Sequence, residues 1–200
     1  SRWVTGPIAR QAVHLLRATH DAILVGRETA EVDDPDLTVR GMGLESQSPV
    51  PVVLDTKLKL SPANRMAATS DKVPVWVCHG PDASTQDMAK LANSGVDLLD
   101  CNVTPHGLDL KHAMSLLADR GITRLFVEGG GQVAASFLRA GLVDQLVQFN
   151  AGIAIGSDGR PNLGALGIET LSMAPRFERT ELKSIGADVM SVWVPRAQST

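Results

Sequence analysis

Short apolar runs that alternate with helical patterns constrain the fold of this chain more than any other feature. The runs "DAILVG", "VPVVLD" and "VPVWVC", which begin at Asp21, Val50 and Val73, are typical of strands buried on both faces of an α/β sheet. Helical spacing occurs from about Pro7 to Thr19 and in two later segments, "STQDMAKLANSG", with Ser84 as its expected N-cap, and "LDLKHAMSLLADRG", with Gly121 as its expected end. This alternation predicts parallel strands joined by helices.

The pattern changes after the stretch "RLFVEGGGQVAASFLRAG", Arg124 to Gly141. There "LVDQLVQFNAG" indicates a strand, "GSDGRPNLGALG" indicates a glycine-rich loop, and "RFERTELKSIGADVMSVWVPR" indicates two strands around a turn at 186–188. We therefore predict an α/β fold with a mixed, mostly parallel sheet, helices on both faces and a C-terminal antiparallel hairpin. The segment from Gly41 to Pro51 is expected to be a long loop rather than a domain boundary.

Length and composition narrow the class of protein. Two hundred residues fit one domain with its own core, and no apolar run approaches the roughly 20 residues that span a bilayer. The first residues lack a basic segment followed by an apolar run, so the cytoplasm is the expected location. Cys78 and Cys101 are expected to be reduced thiols in or near the core. A net charge of -3 gives no general attraction to nucleic acid, so any phosphate site must be local.

The three consecutive glycines of the stretch, Gly129 to Gly131, follow an apolar strand and open a helical pattern. Glycine lets the backbone approach an anion, and the helix behind it adds its positive end. A tight turn explains such a run about as well, because neither the dinucleotide nor the P-loop motif is present. Glu128 favours a ligand site, because a carboxylate that closes an apolar strand needs water or a donor.

Polar side chains follow two further apolar runs. In "DAILVGRETAEVDDPDLTVR", a guanidinium can bind a phosphate through two hydrogen bonds, although a solvated loop with a turn at Asp34-Pro35 is an equally good interpretation. The run that begins at Val50 ends in Asp55, which Thr56 follows. Because the carboxyl ends of parallel strands meet at one edge of a sheet, we expect a ligand crevice there. The polar residues of the first segment are Arg27, Thr29, Asp33, Asp34 and Arg40.

The sequence offers little support for metal or nucleophilic chemistry. The five histidines show none of the usual ligand spacings, so we expect no metal site. No nucleophile elbow of the form GxSxG occurs. Trp3 is expected to be a packing residue on general grounds, although an indole near a crevice could stack on a heterocycle.

Four segments together resemble the reductase domain of the bacterial bifunctional riboflavin-biosynthesis deaminase/reductase, which has a dihydrofolate-reductase-like fold. They are "SRWVTGPIAR", "LRATHDAILVGRETAEVDDPDLTVR", "VVLDTKLKL" and "LFVEGGGQVAASFLRAGLVDQLV". The combination of W-[IV]-T, DDP-x-LTVR and VEGGG is highly specific. "VGRET" and "GGGQV" are also similar to the segments that dihydrofolate reductases use around NADPH.

The resemblance implies NADPH-dependent reduction of 5-amino-6-(5-phosphoribosylamino)uracil to 5-amino-6-(5-phosphoribitylamino)uracil. Arg17 and Arg40 would hold the ribose phosphate, and Glu128 would accept hydrogen bonds from ribose or pyrimidine. Arg27 is a further candidate for the 2′-phosphate of the cofactor, by analogy with dihydrofolate reductases. Carried over by position, the other cofactor contacts are Trp3, Thr29, Asp33, Thr56, Gly130, Gly131, Gln132, Val133, Ala134, Ala135 and Ser136, and the substrate contacts are Ser1, Arg17, Leu37, Arg40 and Glu128.

The chain departs from the family pattern at its amino end. The zinc ligands of the deaminase domain, H-x-E and P-C-x-x-C, are absent from the 200 residues. Family members also carry a strand before the W-[IV]-T segment. We therefore expect one reductase domain, residues 1–200, that lacks the first strand of the family and its deaminase domain, and this would leave an open slot in the sheet.

Two other functions stay open. The chain could be a reductase of the same fold that acts on another heterocycle, such as a pterin, or a nucleotide-binding module without catalysis. The resemblance also implies a homodimer, with no nucleic acid or membrane partner. The exposed-looking hairpin at the carboxyl end gives that expectation weak support.

Overall fold

The centre of the molecule is a parallel sheet whose strands follow the apolar runs of the sequence. The computed structural model describes residues 4–196. In chain order its strands are β1 (Ala22–Gly26), β2 (Val50–Leu54), β3 (Trp76–His79), β4 (Asp97–Asp100), β5 (Val103–Thr104), β6 (Gly107–Leu108), β7 (Leu125–Val127), β8 (Leu146–Asn150), β9 (Phe177–Ile185) and β10 (Asp188–Pro195). The sheet has the strand order β4-β3-β2-β1-β7, and every neighbouring pair in it is parallel.

Helices cover both faces of this sheet. They are α1 (Pro7–Ala18), α2 (Arg27–Asp33), α3 (Arg65–Ala68), α4 (Thr85–Asn93), α5 (Leu110–Ala118) and α6 (Gly131–Arg139). Successive side chains of a strand point to opposite faces, and β1 is buried along its whole length. Ile23 accordingly packs in a cluster with residues of α2, α3 and α4, whereas Leu24 packs in a second cluster with residues of α5 and α6. The two clusters form the core.

The C-terminal strands form a smaller sheet of their own. β10 lies between β8 and β9 and is antiparallel to both, with Gly186 in the turn at a φ of 63°. None of its described residues belongs to either core cluster. The carboxylate of Asp188 connects this sheet to the start of α1, because its Oδ2 accepts a hydrogen bond of 2.6 Å from the backbone N–H of Gly6. Within the described residues, no strand pairing joins β7 to β8.

The predicted fold class is confirmed: parallel strands with helices on both faces are followed by antiparallel strands. Local patterns missed four elements. The segment after β1, interpreted as a polar loop, contains helix α2, and α3, β5 and β6 were not predicted at all. β5 and β6 have two residues each, which is too short to identify from periodicity. The loop from Gly41 to Pro51 contains a short 3-10 turn at Glu45–Gln47 and the first residues of β2.

Candidate active-site cleft

A cavity of about 1090 Å³ opens at the carboxyl ends of β1 and β2. The last residue of β1, Gly26, and the turn that follows β2 form one side, and α6 forms another. Residues of the β5–β6 hairpin and of the first turn of α5 also line the cavity. The chain thus places a ligand-sized cleft where parallel α/β sheets bind nucleotides.

The first turn of α6 lines this cleft through Gln132 and Val133. Gly130 precedes the helix at a φ of 77°, and no side chain caps the N–H groups of the first turn. A Cβ atom at Gly130 would lie 3.3 Å from Thr29 Oγ1, and one at Gly26 would lie only 2.8 Å from Val133 Cγ2. The glycines therefore permit a close approach of β1, α2 and α6 and leave helix N–H groups open to an anion.

The glycine-rich loop between β8 and β9 lies against the same helix start. The N–H of Gly164 donates a hydrogen bond of 2.8 Å to the carbonyl of Gly131. A Cβ atom at Gly131 would lie 2.7 Å from the carbonyl oxygen of Pro161. Arg139, in the last turn of α6, donates from Nη1 to the carbonyl of Ala165 at 2.6 Å. This loop is therefore a wall of the cleft, and the third glycine of the run serves its packing.

Five of the twelve predicted cofactor residues line the cavity. Asp33, however, is the exposed last residue of α2, and Ala135 is fully buried in the core, so the side chains of both lie outside the cleft lining. Thr29 lies beside Gly130, next to the lining. Trp3 is outside the described residues. The predicted residues that line the cavity are Arg27, Thr56, Gln132, Val133 and Ser136.

Arg27, the candidate for a 2′-phosphate, already has protein partners. Its Nη1 lies 2.5 Å from Glu31 Oε2, and its Nε lies 3.7 Å from Asp55 Oδ1. Asp55 is 2% exposed, and its other carboxylate oxygen accepts the N–H groups of Lys59 and Leu60 at 2.6 and 2.7 Å. The carboxylate of Asp55 thus shapes the turn after β2, and the guanidinium of Arg27 is balanced by two acids.

A second polar site lies one strand away from the cleft, at the end of β7. Arg17, on α1, donates from Nε to Glu128 Oε2 at 2.7 Å and from Nη2 to Oε1 at 2.5 Å. Its Nη1 donates to the carbonyl of Thr38 at 2.9 Å. The side chain of Arg17 is 10% exposed and that of Glu128 is 28% exposed. A bidentate pair of this kind fixes the carboxylate while leaving part of it open to a ligand.

Two of the other predicted substrate residues, Leu37 and Arg40, lie on the segment that contains Thr38. Leu37, next to Thr38, has a φ of 53° and a side chain in the core, so any ligand contact there belongs to its backbone. Arg40 is exposed and paired with Asp36 at 2.6 Å. Ser1 is outside the described residues. Arg17 and Glu128, each predicted to contact the substrate, contact each other directly in the structure.

Sequence reasoning did not single out His14, which lies one helical turn before Arg17 on α1. Its Nδ1 is buried without a hydrogen-bond partner. Burial lowers the pKa of His14 below 6.5, and the charges of Arg17 and Arg40 lower it further, so the imidazole is neutral at pH 7. The spacing of His14 and Arg17 placed both on one helix face, but nothing local indicated that this face adjoins a site.

Within residues 4–196, no three His, Cys, Asp or Glu side chains are grouped closely enough to hold a metal ion. None of the described helices has the length and apolar character that crossing a membrane requires.

Comparison with known sequences identifies the family. A profile of the family described as "RibD C-terminal domain" matches residues 1–191. The riboflavin biosynthesis protein RibD of Escherichia coli (strain K12) is 34% identical over 200 residues, covering 94% of this chain and 53% of that protein. RibD of Bacillus amyloliquefaciens is 31% identical over 197 residues, covering 98% of this chain and 52% of that protein. The chain spans about half the length of these curated relatives.

Solved structures agree with this match. RibD of Acinetobacter baumannii, form 1, has a TM-score of 0.81 and 25% identity, covering 98% of this chain and 52% of that one. A pyrimidine reductase-like protein from Corynebacterium diphtheriae has a TM-score of 0.80 at 22% identity, which shows a shared fold. The resemblance inferred from the motifs is confirmed. The chain belongs to the RibD C-terminal domain family, the reductase domain of riboflavin biosynthesis proteins with a dihydrofolate-reductase-like fold.

Proposed function

We propose that this chain catalyses the NADPH-dependent reduction of 5-amino-6-(5-phosphoribosylamino)uracil to its ribitylamino product. The observation that carries the proposal is the adjacency of two sites: the Arg17–Glu128 pair ends β7, and the glycine-opened cleft begins at the neighbouring strand β1. Gly129 and Gly130 lie between them. A reduction needs two ligands whose reacting carbons meet, and this arrangement provides two adjoining sites.

The cleft fits a dinucleotide in size and chemistry. Its volume of about 1090 Å³ suits a ligand larger than a single nucleotide. The open N–H groups at the start of α6 suit a pyrophosphate, and the lining includes Leu54, Leu108, Leu110 and Leu166, which suit a flat heterocycle. The bound dinucleotide would supply the hydride. The RibD C-terminal domain family is typically NADPH-dependent, which favours the phosphorylated cofactor.

At the second site, the residues of the chain position the substrate. We propose that Glu128 accepts hydrogen bonds from ribose hydroxyls or pyrimidine N–H groups through its open edge. Arg17 uses three of its five N–H groups on Glu128 and Thr38, so it orients the carboxylate first and reaches a ligand only with the two that remain. Arg40, whose side chain is 56% exposed, is better placed to bind a ribose phosphate.

A homodimer in the cytoplasm remains the expected assembly and location. Two large apolar side chains of the C-terminal hairpin, Leu182 and Val189, are 56% and 38% exposed. Exposed apolar side chains on a sheet are typical of protein interfaces. This surface supports the dimer proposal and is the face on which we expect a second copy.

A direct assay tests the proposed function. Purified chain mixed with NADPH and 5-amino-6-(5-phosphoribosylamino)uracil should consume NADPH, and mass spectrometry should find the ribitylamino product. The same assay with dihydrofolate distinguishes the pterin alternative, for which we expect no consumption. Consumption of NADPH with dihydrofolate but not with the phosphoribosylaminouracil would show that the substrate is a pterin. Binding of NADPH without consumption in either mixture would favour a nucleotide-binding module.

A further inference from the structure

Some of the basic side chains that line the cleft are paired with acids or carbonyl groups, and others are not. Arg27 is balanced by acids, Lys59 lies 2.6 Å from Asp87, and Arg139 donates to Ala165. Lys57 and Lys111 also line the cleft, and their side chains make no hydrogen bond or ion pair with any residue in the described part of the chain. Two unbalanced ammonium groups in one cleft attract an anionic group of a ligand.

The fold directs Lys57 away from the core. The turn after β2 is closed by a hydrogen bond of 2.9 Å from the N–H of Leu58 to the carbonyl of Asp55. Leu58 has a φ of 53° and is 1% exposed, so its side chain is inserted in the core beneath the turn. Lys57 is exposed at the tip. Because Leu58 and Asp55 both anchor the turn, the position of the Lys57 backbone is fixed at the edge of the cleft.

The β5–β6 hairpin, which also lines the cleft, lies close to this turn. The carbonyl of Thr56 accepts a hydrogen bond of 3.0 Å from the N–H of Gly80, and a Cβ atom at Gly107 would lie 3.9 Å from Thr56 Oγ1. The β5–β6 hairpin therefore packs beside the turn that carries Lys57. Lys111 follows the hairpin in the first turn of α5, where Asp109 accepts its backbone N–H at 3.0 Å.

We propose that Lys57 and Lys111 form the subsite for a phosphate on the adenosine ribose of the dinucleotide, and that Lys57 sets the preference for the phosphorylated cofactor. This inference rests on the proposed function, because it names the recognition element of the same cleft. The start of α6, where the pyrophosphate would bind, packs on Gly26 at the end of β1, and the turn that carries Lys57 follows the neighbouring strand β2. In a phosphorylated dinucleotide only the adenosine ribose separates the pyrophosphate from the ribose phosphate, so the two anionic groups can reach sites at neighbouring strands.

Lys57 is therefore proposed to bind the ribose phosphate of the cofactor, in place of Arg27, which the sequence had suggested. Arg27 would have to exchange its contacts with Glu31 and Asp55 for a ligand, and Asp55 is almost fully buried. Lys57 gives up no hydrogen bond or ion pair with the described residues when it binds. The ammonium of Lys57 is therefore the less costly partner for a phosphate.

Calorimetry with two adenosine fragments tests the subsite without requiring hydride transfer. The probes are adenosine 2′,5′-bisphosphate, which carries the ribose phosphate, and 5′-AMP, which lacks it. The unmodified chain should bind the bisphosphate more tightly. Lys57→Ala should weaken bisphosphate binding by about tenfold to a hundredfold, the usual value of a charged hydrogen bond, and leave 5′-AMP binding unchanged. Lys111→Ala should act in the same direction.

Lys72→Ala is the matched control, because Lys72 is an exposed lysine outside the cleft lining, and it should change neither affinity. Equal affinity of the unmodified chain for both probes would overturn the inference, as would a selective loss in Arg27→Ala but not in Lys57→Ala. Turnover separates the two proposals. Selective binding of the bisphosphate without turnover would support the lysine subsite and contradict the proposed reaction. Turnover that is equally efficient with NADH and NADPH would support the proposed reaction and contradict the lysine subsite.

Discussion

The Arg17–Glu128 contact illustrates what a single pair of residues does at this site. Both charges are largely removed from water, and each is compensated mainly by the other. Such a pair contributes little net stability over an apolar pair, but removal of one partner leaves the other poorly solvated. The role of the pair is to position Glu128, because two parallel hydrogen bonds hold the plane of its carboxylate at the end of β7.

Glu128→Gln should separate substrate binding from cofactor binding. The amide keeps the shape of the side chain but loses the charge, so we expect a higher KM for the pyrimidine substrate or a lower kcat. NADPH affinity should be nearly unchanged, because the cleft lies beyond Gly130. Unfolding free energy should fall by about 1–3 kcal/mol, since Arg17 loses its charged partner.

Steady-state kinetics and NADPH calorimetry on the same preparation check this result. Arg40→Ala is a useful companion, because Arg40 contacts neither Arg17 nor Glu128 directly and its exposed partner is Asp36. It should raise the KM for a phosphorylated substrate with little loss of stability. A large loss of NADPH binding in Glu128→Gln would show that Glu128 belongs to the cofactor site.

Residue patterns predicted Glu128 but not its partner. A carboxylate at the end of an apolar run requires a donor, and that requirement is visible in sequence. The donor comes from α1, 111 residues earlier, and Arg17 looks there like any arginine on a helix surface. The resemblance to a family supplied Arg17, whereas spacing alone did not. Lys57 and Lys111 went unnoticed for the same reason, since their lack of partners appears only in three dimensions.

Helix α6 shows how the glycine run is divided between two tasks. Gly130 provides the left-handed residue before the helix, and Gly131 lets the loop at 161–164 reach the first turn. The sequence predicted the strand, the glycines and the helix in the correct order. It did not predict the loop contact, because the loop is about thirty residues downstream and has no periodicity.

Gly131→Ala should therefore damage the cleft through packing. The added methyl group would meet the Pro161 carbonyl at 2.7 Å, and a backbone atom cannot move aside as a flexible side chain can. We expect a loss of about 1–3 kcal/mol in unfolding free energy, as for overpacked sites, together with weaker NADPH binding. Urea denaturation and NADPH titration measure the two effects.

Gly152→Ala is the control for this change. Gly152 has no atom within 4 Å of an added Cβ and no left-handed φ, so alanine should be tolerated or slightly stabilising. If both variants unfold at the same urea concentration, the contact between the loop and α6 does not constrain the helix.

At the scale of the whole molecule, stability is distributed unevenly between the two larger sheets. The interior strands β1, β2 and β3 carry side chains from both core clusters. The antiparallel sheet contributes to neither, and most of the side chains of β9 are exposed. A sheet without a shared core is held mainly by its own ladder and by local contacts such as the one between Asp188 and Gly6.

Hydrogen exchange followed by mass spectrometry should resolve this difference. Amides of β1, β2 and β3 should exchange slowest, and those of β9 should exchange measurably sooner, because local opening there exposes little apolar surface. Peptides from α4, an amphipathic surface helix, provide an internal reference of intermediate protection. Equal protection of β9 and β1 would show that the chain opens only as one cooperative unit.

The long separation between Arg17 and Glu128 also has a consequence for folding kinetics. Their contact closes a loop of 111 residues, and the entropic cost of such closure is met only after the strands between them have paired. The ion pair is therefore expected to form late, after β1, β2 and β3 have assembled. A partly folded chain would present neither the fixed carboxylate nor the adjoining cleft, so binding competence would appear only at the final step of folding.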